Sequence, residues 1–449
     1  MTKATNSPSI FEGKNTTKNG TNQANGKKFV QIPAGIDANQ PANGKKRESK
    51  AEARIQQLEK ALTAWEFRFN AVTCCTEVKQ GGAWARMDDF TLNSIVRQLR
   101  SDGVSLANKT RVAELLESDF CKVVNPIEEY FSSLQQPSGD PIGELCATVT
   151  PVAGGEMLRK FFQKWLVGAV ANVFIKDRCA NQLCFILSGR QGVFKSTWIR
   201  NLCPQQLSAY YIEGSLDPED KDSMSATATN FIYNLDDYFA GITQRKINEF
   251  KGLLTKNTVK IRRPYARYSE EMPKICSFIA SSNEDTFLHD PTGNRRFLPF
   301  EVEAIDIAAA DGIDIEAVWA QAFHLFKSGY QYWLTKDEQD ELNQYNEQFE
   351  VQSSEYEALV TFYQLPGEGE NGQDVYQLTN AELQKKLEGK SHLKLSKKKL
   401  GEALKKAGFI REQVRRNKLR TWVYKVVELH EADVVPLRQV GRGAGENII

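Results

Sequence analysis

Histidine and cysteine are both scarce, at four and eight residues in a chain of 449. Cys74-Cys75, and Cys179 with Cys184, are matched neither by a second pair nor by histidines at zinc-ligand spacing. That argues against a structural zinc site and leaves reduced, buried thiols as the reading. Long apolar runs are missing too. None reaches the ~18 residues of a membrane span, and the first residues are polar where a secretory signal is apolar, so no membrane and a cytoplasmic address are expected. An excess of one charge is also lacking: 58 Lys and Arg against 57 Asp and Glu leave a net charge of +1. Whole-chain electrostatics therefore selects no partner, and only local clusters of base argue for nucleic acid.

What is present, 41% apolar and 26% charged residues, suffices for two or three domains with cores. Residues 1–50 are rich in Asn, Lys, Gly, Thr and Ser and end in "GKKRESK". Such a segment buries too little surface to offset chain entropy and reads as a disordered polar, basic tail. Behind Ser49 as a cap, Ile55, Leu58, Leu62 and Trp65 recur at helical spacing. "LNSIVRQLRSDG" and "RVAELLESDF" repeat the stripe, which predicts a helical accessory domain over residues 51–155.

"EMLRKFFQKWLVGAVANVF" is one more helical stripe, and then the period changes. "LCFIL", "NFIYNL" and "ICSFIA" are short apolar runs suited to strands buried on both faces, with helical patterns between them. This alternation predicts a mostly parallel α/β sheet in a core of residues 156–305. A helical extension at 306–355, a linker at 356–374 holding "LPGEGENGQD", a Lys-rich module at 375–430 and a flexible tail at 431–449 complete the division.

The first chemistry lies in "SGRQGVFKST". A strand, a glycine-containing turn and Lys-Ser-Thr opening a helix form the order in which backbone N–H groups surround phosphate oxygens. Gly189, Gln191, Gly192, Val193 and Phe194 make the turn. Lys195 reaches the β and γ phosphates, the Ser196 hydroxyl ligates Mg²⁺, and Thr197 supports the turn. Phe194 stands where this pattern has a glycine. The position contributes mainly its N–H, which a phenyl-bearing residue keeps when its torsions are allowed.

"NFIYNLDDYF" sets Asp236 and Asp237 at the end of a buried strand. The first suits a magnesium shell and the second can polarise an attacking water. Their plain alternative is a pair of carboxylates capping the next helix. Asn283 ends the third strand run, where it can orient water or simply form a turn. In "DPTGNRRFLPFEV", Arg295 and Arg296 follow a Gly-Asn turn. A guanidinium fork suits the charge on a transferring phosphoryl group, in its own site or in a neighbour's.

Two clusters point to nucleic acid. Lys251, Lys260, Arg262, Arg263 and Arg267, with Tyr265 and Tyr268, crowd a short hairpin-like stretch broken by Pro264. Such a mixture grips phosphates and stacks bases, although arginines near a phosphate loop also serve nucleotide or ion pairs. In the Lys-rich module "TNAELQKKLEGK", "LSKKKLGEALKKAGF" and "REQVRRNKLRTWVYKVVE" read as helix, helix and hairpin, the order of a winged helix-turn-helix. Leu395, Leu400, Leu404 and Phe409 mark its apolar face. Lys397, Lys398, Lys399, Lys405 and Lys406 mark the basic one, and Arg415, Arg416, Lys418 and Arg420 the wing, which together predict duplex binding through backbone phosphates.

These segments together resemble the virulence-associated protein E family, P-loop ATPases of bacterial mobile elements and phages related to superfamily 3 helicases and the AAA+ class. The resemblance covers roughly residues 66–350. It rests on the phosphate loop, "NLDDYF", "FKGLLTKNTVKIRRPYAR" and "PKICSFIASSNEDTFLHDPTGNRRFLPF", and also on "FRFNAVTCCTEV" and "VWAQAFHLFKSGYQYWL". It implies that Lys195 and Ser196 bind ATP and Mg²⁺, that Asp236 and Asp237 form the Walker B element, that Asn283 is sensor 1, and that Arg295 or Arg296 is the arginine finger. It also implies a hairpin lining a central channel for single-stranded DNA. An arginine finger implies a ring, with a hexamer expected. Two departures are plain: Phe194 in place of the loop's last glycine, and Asp237 where many relatives carry Glu.

The expected function is therefore an ATP-driven DNA helicase or translocase in replication of a bacterial mobile element, with a separate primase as a possible partner. Two alternatives remain open. One is an ATP-binding DNA switch or defence factor that does not translocate; the other is a small-molecule kinase, for which no lid or substrate pocket is evident.

Overall fold

The computed structural model describes residues 50–239, 242–261, 269–288, 293–367, 375–416 and 419–429. The expected polar tail (save Lys50), the tail at 431–449, and Arg262, Arg263, Pro264, Tyr265, Arg267, Tyr268 and Lys418 lie outside these residues. The chain forms a mixed α/β fold with several sheets and divides into two compact units. Of the described residues, the first holds those between 50 and 238, 249 and 283, and 296 and 336; the second holds those between 239 and 248, 284 and 295, and 337 and 429. No described helix is long and apolar enough to cross a membrane.

The first unit opens with a small sheet, which corrects the all-helical expectation for 51–155. Its strands are β1 (Phe67–Asn70), β2 (Cys75–Gln80), β3 (Ala83–Arg86) and β4 (Lys122–Val124), in the order β3-β2-β1-β4. Gly81 and Gly82, both at positive φ, make the two-residue turn between β2 and β3. That turn matches the right-handed strand twist only when both residues adopt the left-handed region. The helices Lys50–Leu62, Asp89–Ser101 and Lys109–Leu116 pack over this sheet around Leu62, Leu99 and Val112.

The expected boundary at 155 also falls inside this unit. β5 (Val149–Pro151) pairs antiparallel with β12 (Phe297–Ile305) at the edge of the main sheet. Phe131, fully buried, sits 5.4 Å from Phe231 and 5.9 Å from Trp319. Burying such a ring contributes about 1.5–3 kcal/mol, which holds the segment to the core.

Between β5 and β12 in sequence come β6 (Cys184–Ser188), β7 (Tyr211–Glu213), β8 (Ile232–Asp236), the pair β9 (Thr258–Ile261) and β10 (Glu270–Pro273), and β11 (Ser277–Ser282). The main sheet has the order β5-β12-β6-β11-β8-β7, parallel everywhere except at β5. The middle strands β6, β8 and β11 are buried almost throughout, as expected of strands covered on both faces. One cover is the helix Gly155–Phe174, buried all round from Lys164 to Val173, whose Phe161, Phe162 and Trp165 are inaccessible. Trp165 Nε1 donates to the Phe278 carbonyl at 2.8 Å, so its one polar group is paired.

In the second unit, residues expected as linker are ordered. Ser353 caps a helix over Ser354–Phe362 whose Leu359 is fully buried, and β13 (Tyr363–Gln364) follows. The cap and the apolar residues of "SEYEALVTF" supply what a linker lacks. Next come β14 (Val375–Leu378), the helices Asn380–Ser391 and Lys397–Lys406, and a hairpin of β15 (Arg411–Arg416) and β16 (Leu419–Glu428). β16 pairs with β13, β14 and β15. Leu383, Leu387, Leu395, Leu400, Leu404 and Phe409 form its buried core.

Candidate functional site

Three parallel strands deliver their carboxyl ends to one place, the edge at which open α/β sheets present ligand sites. β6 runs into the turn 189–194, β8 ends at Asp236 with Asp237 just beyond it, and β11 runs to Ser282 just before Asn283. The register fixes the alignment: Ser281 stands opposite Asp236, and Ser282 opposite Ser188. A cavity of about 410 Å³ opens there, lined by residues 191–197 with Asp236, Asp237, Ser281 and Asn283.

The turn is demanding of backbone. Gly189 has φ +133°, and a Cβ there would meet the Val302 carbonyl oxygen at 2.5 Å, so no other residue fits. Phe194 takes φ 64° and ψ 21°, inside the left-handed region, and still accepts the helical bond from Trp198 N at 2.9 Å. Its ring is half-exposed rather than packed. The torsions are thus in an allowed region, the small left-handed one that glycine favours. The turn holds the glycine conformation at a cost of about 1–2 kcal/mol.

Lys195 is buried. Its ammonium donates to the carbonyls of Gly189 and Arg190 at 2.7 and 2.8 Å and to Asn283 Oδ1 at 3.1 Å. Burial lowers its pKa, and the carboxylates of Asp237 and Asp236 partly offset that. Ser196 Oγ donates to Asp236 Oδ1 at 2.6 Å and lies 3.3 Å from Ser281 Oγ, which donates to the same carboxylate oxygen. Asp237 also takes a positive φ, 52°, and its N–H donates to the Ser281 carbonyl at 3.2 Å. Its Oδ1 accepts from Asn283 Nδ2 at 3.3 Å.

Lys195, Ser196, Asp236, Asp237 and Asn283 thus share one cavity, along with Gln191, Gly192, Val193, Phe194 and Thr197. Ser281 was absent from the sequence reading. The period of two, which sets it on the same strand face as Asn283, was the available signal. Ser196 Oγ and Asp236 Oδ1 are hard oxygen donors side by side, a donor set that suits magnesium completed by phosphates and water. Groups of three or more His, Cys, Asp or Glu able to hold a metal do not occur among the described residues.

The other expected residues are distributed more widely. Arg295 is exposed in a short 3₁₀ turn, its Nη1 donating to Gln339 Oε1 at 3.0 Å, while Arg296 is half-buried. Lys260 is exposed on β9 opposite Glu271. Lys251 is buried with its ammonium 5.8 Å from the Phe297 ring, which removes it from the expected strand-gripping cluster.

Lys397, Lys398 and Lys399 are exposed at the start of their helix, and Arg415 is exposed on β15. Arg416 lies on the hairpin as expected, on β15, and is held there by the Glu382 carboxylate, with both oxygens at 3.2 Å, and by the Gln377 carbonyl. Glu382 is the reciprocal partner in the capping box of Thr379, so a fixed carboxylate was already aimed at this edge.

Residues 137–351, somewhat less than half of the chain, match the model of the Virulence-associated protein E-like domain. Every residue lining the cavity lies within that stretch. Two solved structures are similar in chain course. One is the apo structure of the NrS-1 C terminal region (305-718), 11% identical, at a TM-score of 0.48 over 85% of this chain and 100% of that one. The other is the A form apo structure of the NrS-1 C terminal region, 12% identical, at a TM-score of 0.46 over 83% and 98%. No curated protein matches the chain.

Proposed function

We propose that the chain is a magnesium-dependent ATPase acting on DNA in the replication of a mobile genetic element or phage. The observation that carries this reading is the contact between Ser196 Oγ and Asp236 Oδ1, in one cavity with a buried lysine that spends its ammonium on the carbonyls of its own turn. A cation held that way sits where anionic oxygens are to be received, and a hydroxyl beside a carboxylate is a magnesium half-site. The match to the Virulence-associated protein E-like domain over 137–351 supports the assignment to mobile-element replication.

Magnesium, when bound, would neutralise the charge of the triphosphate at the phosphoryl group. The chain's own residues do the rest. Lys195 exchanges carbonyl partners for phosphate oxygens. Ser196 and Asp236 would hold the metal, with Ser281 orienting the carboxylate. Asp237 accepts a proton from water, and Asn283, which touches both Lys195 and Asp237, keeps the two in register. Arg295 or Arg296 serves as a finger in a neighbouring subunit of a ring, with a hexamer as the expected closed form.

The test is phosphate release from Mg-ATP with and without single-stranded DNA, comparing wild type with Lys195→Ala. Stimulated release in the wild type and none in the variant supports the reading, and equal release by both overturns it. Tight ATP binding with no release would assign a nucleotide-operated DNA switch instead.

A further inference from the structure

The hairpin of β15 and β16 carries a face that the reading above does not use. Cross-strand partners share a face, and the register pairs Arg411 with Tyr424, Gln413 with Trp422 and Arg415 with Arg420. Alternation puts these six side chains together, and the face bears three arginines, a Trp and a Tyr without a carboxylate. Glu412 and Glu382 of the same module are engaged in ion pairs, Glu412 with Lys425 at 2.9 Å and Glu382 with Arg416 at 3.2 Å.

Trp422 is 46% exposed, an unusual state for the largest apolar side chain, and the Arg411 guanidinium lies 4.9 Å from its ring centre. Beside this pair is a cleft of about 550 Å³, lined by Lys397, Lys398, Arg411, Trp422 and Tyr424 among others. That volume lies in the range of small-ligand sites, and its walls offer flat rings beside ammonium and guanidinium groups.

We infer that this cleft is a binding site for unpaired nucleotides, with a base stacked on Trp422 and the adjoining phosphates held by Arg411, Lys397 and Lys398. A duplex hides its base faces, so a phosphate-only contact leaves an exposed indole without a purpose, whereas a single strand offers both π-face and phosphate. The inference rests on the reading that this module meets nucleic acid. It is independent of the ATP site.

The experiment titrates the full chain, without nucleotide, into labelled oligothymidylate, oligouridylate and a duplex of equal length. Wild type binds the single strands, Trp422→Ala weakens them by about tenfold or more, and Trp422→Phe, which keeps a stacking ring, stays within about threefold. Arg411→Gln, at an exposed position, weakens them as well and serves if Trp422→Ala fails to fold. The thymidylate and uridylate arms tell DNA from RNA as the source of the strand. Single-strand affinity indifferent to Trp422→Ala and Arg411→Gln, or wild-type binding of duplex alone, overturns the site while leaving duplex binding by the module intact. Binding to none of the three probes overturns the nucleic-acid reading itself.

Discussion

Ser196 Oγ stands 2.6 Å from Asp236 Oδ1, joining the first turn of one helix to the carboxyl end of β8. Because Ser281 of β11 donates to the same oxygen, three separate segments converge on one carboxylate. A carboxylate oxygen accepting two hydroxyl hydrogens is fixed in orientation before any ligand arrives. Preorganisation of this kind is what the proposed magnesium site requires.

Asp236→Asn keeps shape and hydrogen-bond capacity but removes the negative charge. Turnover should fall on the order of 10²-fold, with the remainder rising steeply with added magnesium, because metal-side stabilisation is worth several kcal/mol. Steady-state hydrolysis at graded magnesium checks this. An unchanged magnesium dependence would mean that the carboxylate is structural.

Lys195 gives a pH signature. Burial lowers its pKa from the ordinary 10.5. Between the lowered value and 10.5, the folded chain binds fewer protons at this group than the unfolded chain, so its contribution to stability rises with pH. ATP affinity moves the other way, since only the charged amine pairs with phosphate. Affinity should therefore fall at alkaline pH below 10.5, and Lys195→Arg, charged throughout, should flatten the fall. Fluorescent-nucleotide titrations across pH would show it, and parallel curves for both proteins would rule the lysine out.

Gly189→Ala tests the close approach of the turn to β12. The added methyl would lie 2.5 Å from the Val302 carbonyl at a φ of +133°. A loss of about 2–4 kcal/mol is expected, with ATP binding lost alongside it. Chemical denaturation measures the first and nucleotide titration the second. A fully stable variant would show that the turn relaxes freely.

Much of this was readable in advance. "LCFIL", "NFIYNL" and "ICSFIA" fall within one or two residues of β6, β8 and β11, because strands buried on both faces leave continuous apolar runs. The convergence of Lys195, Ser196, Asp236, Asp237 and Asn283 in one cavity follows from those three strands being parallel. The N-terminal sheet was not legible. β1, β3 and β4 have three or four residues each, and β4 pairs with β1 across more than 50 positions of chain, so nothing local announces it. Only Gly81-Gly82 carried a hairpin signal. The ion pair of Arg416 was not legible for a related reason: composition shows a basic wing but not the carboxylate that a capping box fixes across from it.

Variants of the two arginines after Gly293 would separate binding from turnover if the proposed finger role holds. If either completes a neighbouring subunit's site, Arg295→Ala or Arg296→Ala should leave ATP affinity within about threefold while lowering turnover by about 10³-fold. Mixing the affected variant with Lys195→Ala should then restore partial activity, since each supplies what the other lacks. Full turnover by both arginine variants, or no rescue on mixing, would exclude a finger acting in trans.

Phe194 offers the sharpest reading of backbone against side chain. Its φ of 64° costs about 1–2 kcal/mol for a residue with a Cβ, whereas glycine there costs about 0.5–1 kcal/mol in unfolded-chain entropy. The ring is 52% exposed, so its removal sacrifices little burial. Phe194→Gly should accordingly leave stability unchanged or raise it by up to about 1 kcal/mol, and Phe194→Ala, which keeps the strain without the ring, should be the less stable of the two by about 1 kcal/mol. Thermal unfolding of the three proteins decides it. If alanine proves as stable as glycine, the left-handed turn is not under strain, and the ring must serve whatever enters the cavity beside it.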